Sequence, residues 1–315
     1  MGNSPLDLSG LKTYSIKDRH SKVDIQDFSA PWTKGGCFSD FLSTLPSILA
    51  GNDLRCVIAA VSLAAKNKHE VCFAMGGHVV KTGMNPIIID LMKKNIITMI
   101  SMNGSGIIHD LETALMGRTS EDVARSLGDG SFGMARETSV FLNQAIKNAK
   151  MTSTGLGKAV GDLILKENLD FKNLSLTATG AGLDIPVTVH VAIGTDIIHM
   201  HPGFDAAACG AASHYDFRLF ASKIALLEKG VFINAGSAVI LPEVFLKAVP
   251  LVRNLGHRLD DFTTVNLDFI RHYRPMTNVV NRPTAGGGKG FNFTGHHELM
   301  IPLLAAGLID RLAEG

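Results

Sequence analysis

The chain has 315 residues, 46% hydrophobic and 19% charged, with a formal net charge of +1. Such length and apolar content suit a compact protein with an extensive core, not a solvated, disordered chain. The near-zero charge gives no global field for nucleic acid or an anionic membrane, and no run of about 18 apolar residues offers a membrane span.

Residues 1–35 lack a clear period and contain Pro5, Gly10 and Pro31, which reads as an arm ahead of a single domain over 36–315. The arm mixes Lys12, Lys17, Asp18, Arg19, Lys22 and Asp24 and has neither signal-peptide nor transit-peptide character, so a cytoplasmic protein is expected. Helical spacing follows at Phe38, Leu42, Leu45 and Ile48 and again from Cys56 to Lys66. Val71-Cys72-Phe73-Ala74-Met75 then reads as a buried strand turning at Gly76-Gly77-His78. A helix is expected over 86–94 with Pro86 in its first turn.

Ile96 to Met102 reads as a second strand, closed by Asn103-Gly104-Ser105-Gly106 and followed by a helix through Leu115. Further helices are expected over 120–126, 137–149 and 157–167, with a glycine-rich loop over 128–133. The second half repeats the rhythm, with strands at 186–192, 231–234 and 262–267 and helices at 215–229 and 242–252. The apolar stretch Leu299 to Leu312 reads as a last helix. Buried strands alternating with helices predict a parallel, Rossmann-like α/β sheet with helices on both faces and ligands at the carboxyl ends of strands.

Ala285-Gly286-Gly287-Gly288-Lys289-Gly290 holds one lysine among four glycines, shortly before the last helix. A lysine so presented suits attack on a carbonyl or an imine, or capture of an anion, and a flexible surface loop is the plain alternative. Asn103-Gly104-Ser105-Gly106 opens a helix after a strand, so its amides suit a phosphate or pyrophosphate, although the full Gly-x-Gly-x-x-Gly spacing is missing. Asn234-Ala235-Gly236-Ser237 occupies the same context, and two such loops favour a dinucleotide over a simple turn.

Of twelve histidines, several cluster in candidate loops: His78, His109, His190, His199, His201, His214, His296 and His297. His199-Met200-His201 near Asp205 fits zinc or iron in residue type, but no second motif fixes a geometry and no metal is expected. The four cysteines stand singly and match neither a zinc ribbon nor a disulfide scaffold. No Gly-x-Ser-x-Gly nucleophile elbow occurs. One Trp and three Tyr supply no aromatic stripe for nucleic acid.

From about Val71 onward these residues resemble the deoxyhypusine synthase family. Lys81-Thr82-Gly83 stands where that family has Ser-Ser-Gly, and Met102 through Asp110 resembles its Thr-Thr-Ala-Gly-Gly-Val-Glu-Glu-Asp. Ile185-Pro186-Val187 matches its Ile-Pro-Val, and Thr195-Asp196 its later Thr-Asp. Gly287-Gly288-Lys289 and Ile301-Pro302-Leu303-Leu304 stand for its Trp-Gly-Lys and Phe-Pro-Leu-Leu. The resemblance implies an NAD-binding fold and a homotetramer with active sites at a dimer interface. It also implies oxidation of spermidine with transfer of an aminobutyl group through a lysine imine.

By that resemblance Lys289 matches the catalytic lysine. Thr82, Asn103, Gly104, Ser105, Gly106, Asp196, Gly236 and Ser237 fall at or near the cofactor positions. The departures concern the polyamine: the paired glutamates become Ile108 and His109, an aspartate becomes His201, the tryptophan becomes Gly287, and another aspartate becomes His296. A polyamine needs carboxylates and an aromatic wall. The expectation is therefore an NAD-dependent transferase-type enzyme with a lysine imine, acting on a substrate other than spermidine, with His109, His201 and His296 converging with Lys289 on one pocket, within a subunit or between two. Genuine aminobutyl transfer of the deoxyhypusine or homospermidine synthase type, an inactive nucleotide-binding regulatory protein and a metal-dependent hydrolase are the alternatives.

Overall fold

The computed structural model describes residues 4–313; residues 1–3 of the arm and residues 314–315 lie outside the described residues. From residue 4 to 37 every residue except Asp27 is exposed. Two short 3-10 turns, Ile16–Asp18 and Ile25–Asp27, punctuate this arm, which meets the body through Ala30 N to Thr44 O (2.9 Å) and Ser47 N to Asp27 O (3.0 Å).

The body begins with helices α1 (Phe38–Thr44) and α2 (Leu49–Lys66), then strand β1 (Val71–Met75), α3 (Gly77–Lys81), α4 (Asn85–Lys93), β2 (Met99–Asn103) and α5 (Gly104–Met116). Four helices follow, α6 (Val123–Ser126), α7 (Arg136–Thr152), α8 (Leu156–Lys166) and α9 (Leu176–Leu183), before β3 (Val187–His190) and α10 (Ala206–Ile224). The chain then forms β4 (Val231–Ala235), α11 (Ile240–Asn254), β5 (Thr263–Asp268), α12 (Tyr273–Pro275) with a π-type coil over Met276–Asn281, β6 (Lys289–Thr294) and α13 (His297–Ala313).

All six strands are parallel, in the order β3-β2-β1-β4-β5-β6. The sequence expectation of a Rossmann-like parallel sheet holds. Alternation along β1 shows why: Val71, Phe73 and Met75 enter one core with Ile58, Ile107 and Leu304, while Cys72 and Ala74 enter another with Phe220, Phe232 and Phe245. A strand covered on both faces is apolar throughout, which is the pattern the sequence carries.

Two buried carboxylates tie helices to this frame. Asp110 on α5 accepts from Leu176 N (2.7 Å), Thr177 N (3.1 Å), both hydroxyls of Ser175 and Thr177 (2.7 Å each) and Asn85 Nδ2 (3.1 Å), and so seats the start of α9. Asp216 on α10 accepts from Gly157 N (3.1 Å) at the start of α8 and from Val189 N (2.9 Å) on β3. Across the other half, Asn234 Nδ2 donates to Asn266 Oδ1 and Asn266 Nδ2 to Asn292 Oδ1, both at 2.8 Å, a side-chain ladder over β4, β5 and β6.

The last strand departs from expectation. The glycine-rich run does not lead straight into the final helix, because Lys289 opens β6, whose Phe291 and Phe293 pair with Val265 and Leu267. Its glycines serve packing: a Cβ at Gly288 would lie 2.5 Å from Phe262 O, and one at Gly290 would lie 2.1 Å from Val280 O.

Candidate functional site

In this strand order the chain steps outward from β1 to β3 and then returns to β4 on the other side, so the connections diverge between β1 and β4. Crevices at the carboxyl ends of strands at such a point are where open α/β sheets bind ligands. Three loops meet there. Gly76 N donates to Ala235 O (2.9 Å), and a Cβ at Gly76 would come within 2.2 Å of Gly236 O. A Cβ at Gly77 would lie 2.3 Å from Ser105 Oγ, and one at Gly104 would lie 1.9 Å from Asp196 Oδ2. The glycines thus let the strand-end loops interlock, with Gly236 at φ +65° making its turn.

Asp196 arrives from the loop after β3 and lies against the first residue of α5. It is 9% exposed, and burial pushes its carboxyl up to about 6. Its backbone N–H donates to His199 Nδ1 (3.2 Å), while Oδ2 has no partner within the protein. Asp196 thus sets a carboxylate at the N-terminus of α5, and the α5 end presents an acceptor for hydroxyls beside its amides.

Several other expected cofactor residues also make hydrogen bonds within the protein. Asn103 Oδ1 caps α5 by accepting from Gly106 N (2.9 Å), Ser237 Oγ accepts from Leu241 N (3.1 Å), and the Thr82 hydroxyl bonds back to His78 O and Val79 O at 3.1 Å. Ser105 faces the Gly77 turn.

The expected convergence of Lys289 with three histidines does not occur within the chain. Lys289 starts β6 and His296 follows its end, so a strand of six residues at roughly 3.3 Å each, nearly 20 Å in all, separates them. His109 borders the Gly77 turn and shares Nδ1 with the Thr119 hydroxyl at 2.8 Å. His296 is exposed and stacks on Phe269, ring centroids 6.5 Å apart. His201 is used elsewhere, with Nε2 bonded to Gly133 O at 2.9 Å. His199 is likewise engaged, with Nδ1 accepting from Gly194 N (3.0 Å) and Asp196 N. Among the described residues no group of three or more His, Cys, Asp or Glu side chains gathers to hold a metal ion.

The structure gives a definite setting to residues that the sequence named without a role. His297, buried at the start of α13, packs 5.4 Å from His78 and 6.0 Å from Phe269 between ring centroids, and touches the Gly236 turn. Its Nε2 lies 3.2 Å from Leu267 O. A carbonyl only accepts, so Nε2 carries the proton and Nδ1, buried and without a partner, is a bare acceptor. Burial also lowers the pKa of this ring, favouring the neutral form. The available signal was Gly76-Gly77-His78 directly after a buried strand. Beside Asp196, Cys209 forms part of an apolar cleft of about 400 Å³ with Val191, Phe217, Val239 and Val244; burial pushes its thiol up to about 11, helped by Asp196 and Asp205.

The fold has counterparts among solved structures. AgrE, in complex with ornithine and NAD+, aligns with a TM-score of 0.54 at 13% identity, over 83% of this chain and 33% of AgrE. A conserved LOR/SDH protein from Methanococcus maripaludis S2 aligns at 0.51 and 13% identity, over 89% of this chain and 72% of that one. A protein assigned as a deoxyhypusine synthase from Entamoeba histolytica aligns at 0.51 and 12% identity, over 88% and 94%. The fold is therefore deoxyhypusine synthase-like, and the chain spans about a third of the length of AgrE. No protein-family model and no curated protein sequence matches it. Among the described residues no helix is long and apolar enough to cross a membrane.

Proposed function

We propose that the crevice at the carboxyl end of the sheet binds NAD and that the chain is an NAD-dependent enzyme whose substrate is not spermidine. The observation that carries this reading is the free, buried Oδ2 of Asp196 beside Gly104. An orphaned buried carboxylate oxygen needs donors, and a ribose diol offers two. Gly76-Gly77 and Gly236-Ser237 are the backbone that would lie along the pyrophosphate.

NAD would supply a two-electron acceptor. The chain's own contribution is proton handling and orientation: His297 Nδ1 would receive the proton released from an O–H or N–H as the adjacent carbon is oxidised. His78, Phe269 and His296 would line the substrate side. Three neighbouring imidazoles suit a neutral or anionic compound better than a polyamine. Lys289 has no part in this reading, because β6 carries it to the other edge of the sheet.

The test is thermal stability with and without NAD, since a ligand bound to the native state raises Tm. The wild-type protein shifts and Asp196→Ala does not. No shift with NAD, NADH or any adenine nucleotide overturns the cofactor, and NAD-dependent release of diaminopropane from spermidine overturns the substrate assignment.

A further inference from the structure

The opposite edge of the sheet, where the strands begin, carries two adjoining clefts that the proposed chemistry leaves unused. One, of about 820 Å³, lies under the starts of β4, β5 and β6 and is lined by Asn67, His69, Lys229 and Lys289 together with Leu63 and Phe291. The other, of about 700 Å³, lies beside the start of β2 and is lined by Lys66, Lys68, Lys94 and His69 together with Ile309 and Leu312. His69 is a wall of both.

Five lysines face one carboxylate, Asp261, across the two linings. Among the described residues the lysines that form ion pairs are Lys94, Lys150, Lys158, Lys223 and Lys247. Lys66, Lys68, Lys229 and Lys289 are exposed and are not among them. Helices α2 and α4 end here, and α13 contributes its last turn, so Lys66, Lys68 and Lys94 partly offset the negative ends of helix dipoles. Lys229, five residues past the end of α10, and Lys289, at the start of β6, add to them. Lys68 and Lys229 also hold left-handed backbone, φ +58° and +61°, a conformation that Asn or Gly adopts more readily than Lys. The two linings therefore carry an excess of positive charge.

From β2 to β6 the strand starts cover four interstrand spacings, roughly 19 Å. That length matches about six residues of extended peptide. The apolar walls need carbon to cover them, which an inorganic polyanion lacks, and one half-buried phenylalanine is no stacking platform for nucleic acid. We propose that this edge is a docking groove for an extended peptide segment alternating acidic and apolar residues, presented by a partner protein. Its carboxylates would meet Lys66, Lys68, Lys229 and Lys289, and its apolar side chains would cover Leu63, Phe291, Ile309 and Leu312.

Fluorescence anisotropy with a fluorescein-labelled eight-residue peptide of alternating glutamate and leucine tests this. Saturable binding is expected, weakening as salt rises from 50 to 200 mM and falling at least tenfold in Lys229→Asn/Lys289→Gln. The control Lys158→Gln, on a different face, keeps full binding. Melting curves of the double variant matching wild type establish that it folds. Absence of saturable binding, binding indifferent to the double variant, or equal affinity for inorganic tripolyphosphate each overturns the proposal.

Discussion

Replacing Gly104 by Ala tests the seat of Asp196 directly. Alanine favours a helix interior over glycine by about 1 kcal/mol, and Gly104 opens α5 without a left-handed φ, so an open site would make the variant neutral or more stable. The structure gives the opposite sign. The new Cβ would sit 1.9 Å from Asp196 Oδ2 and 2.5 Å from its Cγ, so the carboxylate must be displaced. Overpacking of this kind costs about 1–3 kcal/mol, and after the alanine gain the net loss should reach about 2 kcal/mol, or about 4 °C in Tm for a chain of this size. Asp196→Ala removes the obstructing atoms, so Gly104→Ala in that background should cost nothing. A double-mutant cycle by thermal or urea unfolding reads the coupling, expected at about 1–3 kcal/mol. Equal effects of Gly104→Ala in both backgrounds would show that the carboxylate does not rest on the helix.

Other outcomes follow from the buried carboxylates and from the two edges of the sheet. Burial pushes Asp216 up to about 7 from an ordinary 3.8. Between these values the native state keeps a proton that the unfolded chain releases, so stability falls as pH rises through that window, by at most about 4 kcal/mol for the whole shift. Asp216→Asn retains an acceptor for Gly157 N and Val189 N, and its Tm should decline less than wild type between pH 4.5 and 8; parallel declines would refute the assignment. Asp110→Ala strands several buried donors at the start of α9 and should cost about 3–5 kcal/mol in urea unfolding, whereas a cost under 1 kcal/mol would show those groups rehydrate. Lys289→Ala should leave the NAD-induced rise in Tm intact, since the lysine is a strand's length from the crevice; loss of that rise would place it in the cofactor site. His297→Gln should keep the rise while removing turnover, and an unchanged pH profile of activity would exclude the imidazole as proton acceptor.

The strands from β1 to β5 were legible because doubly covered parallel strands are rich in apolar and β-branched residues, and Val71 to Met75 is an unbroken apolar run. β6 was not, since Gly290 and Asn292 interrupt the apolar signal and a glycine run ahead of it reads as a loop. The reason for those glycines lies in the carbonyls of Phe262 and Val280, distant neighbours that local pattern cannot reveal. The site divides along the same line. Gly104, Gly236 and Asp196 were named from the sequence, but that Asp196 rests on Gly104 depends on two loops more than 90 positions apart. The spacing of Lys289 before the last helix hid an intervening strand, β6, which Lys289 opens. His297 looked like one more histidine beside His296; its importance comes from Leu267 O fixing its tautomer.

The ladder of Asn234, Asn266 and Asn292 has a consequence for how the edge of the sheet behaves. An outermost strand ordinarily frays first, because only one neighbour holds it. Here, peeling β6 away would strip Asn266 Nδ2 of its acceptor and weaken a chain of amides reaching Ser237 O at the β4 turn, 3.0 Å from Asn234 Nδ2. The outer strand and the inner one are thus joined in a single opening unit, and amide exchange along β6 should run at nearly the pace of β4. A slip of one residue would break the same chain and turn the strand's faces over, so His297 keeps its position relative to Gly236 through fluctuations that would let a plain edge strand slide.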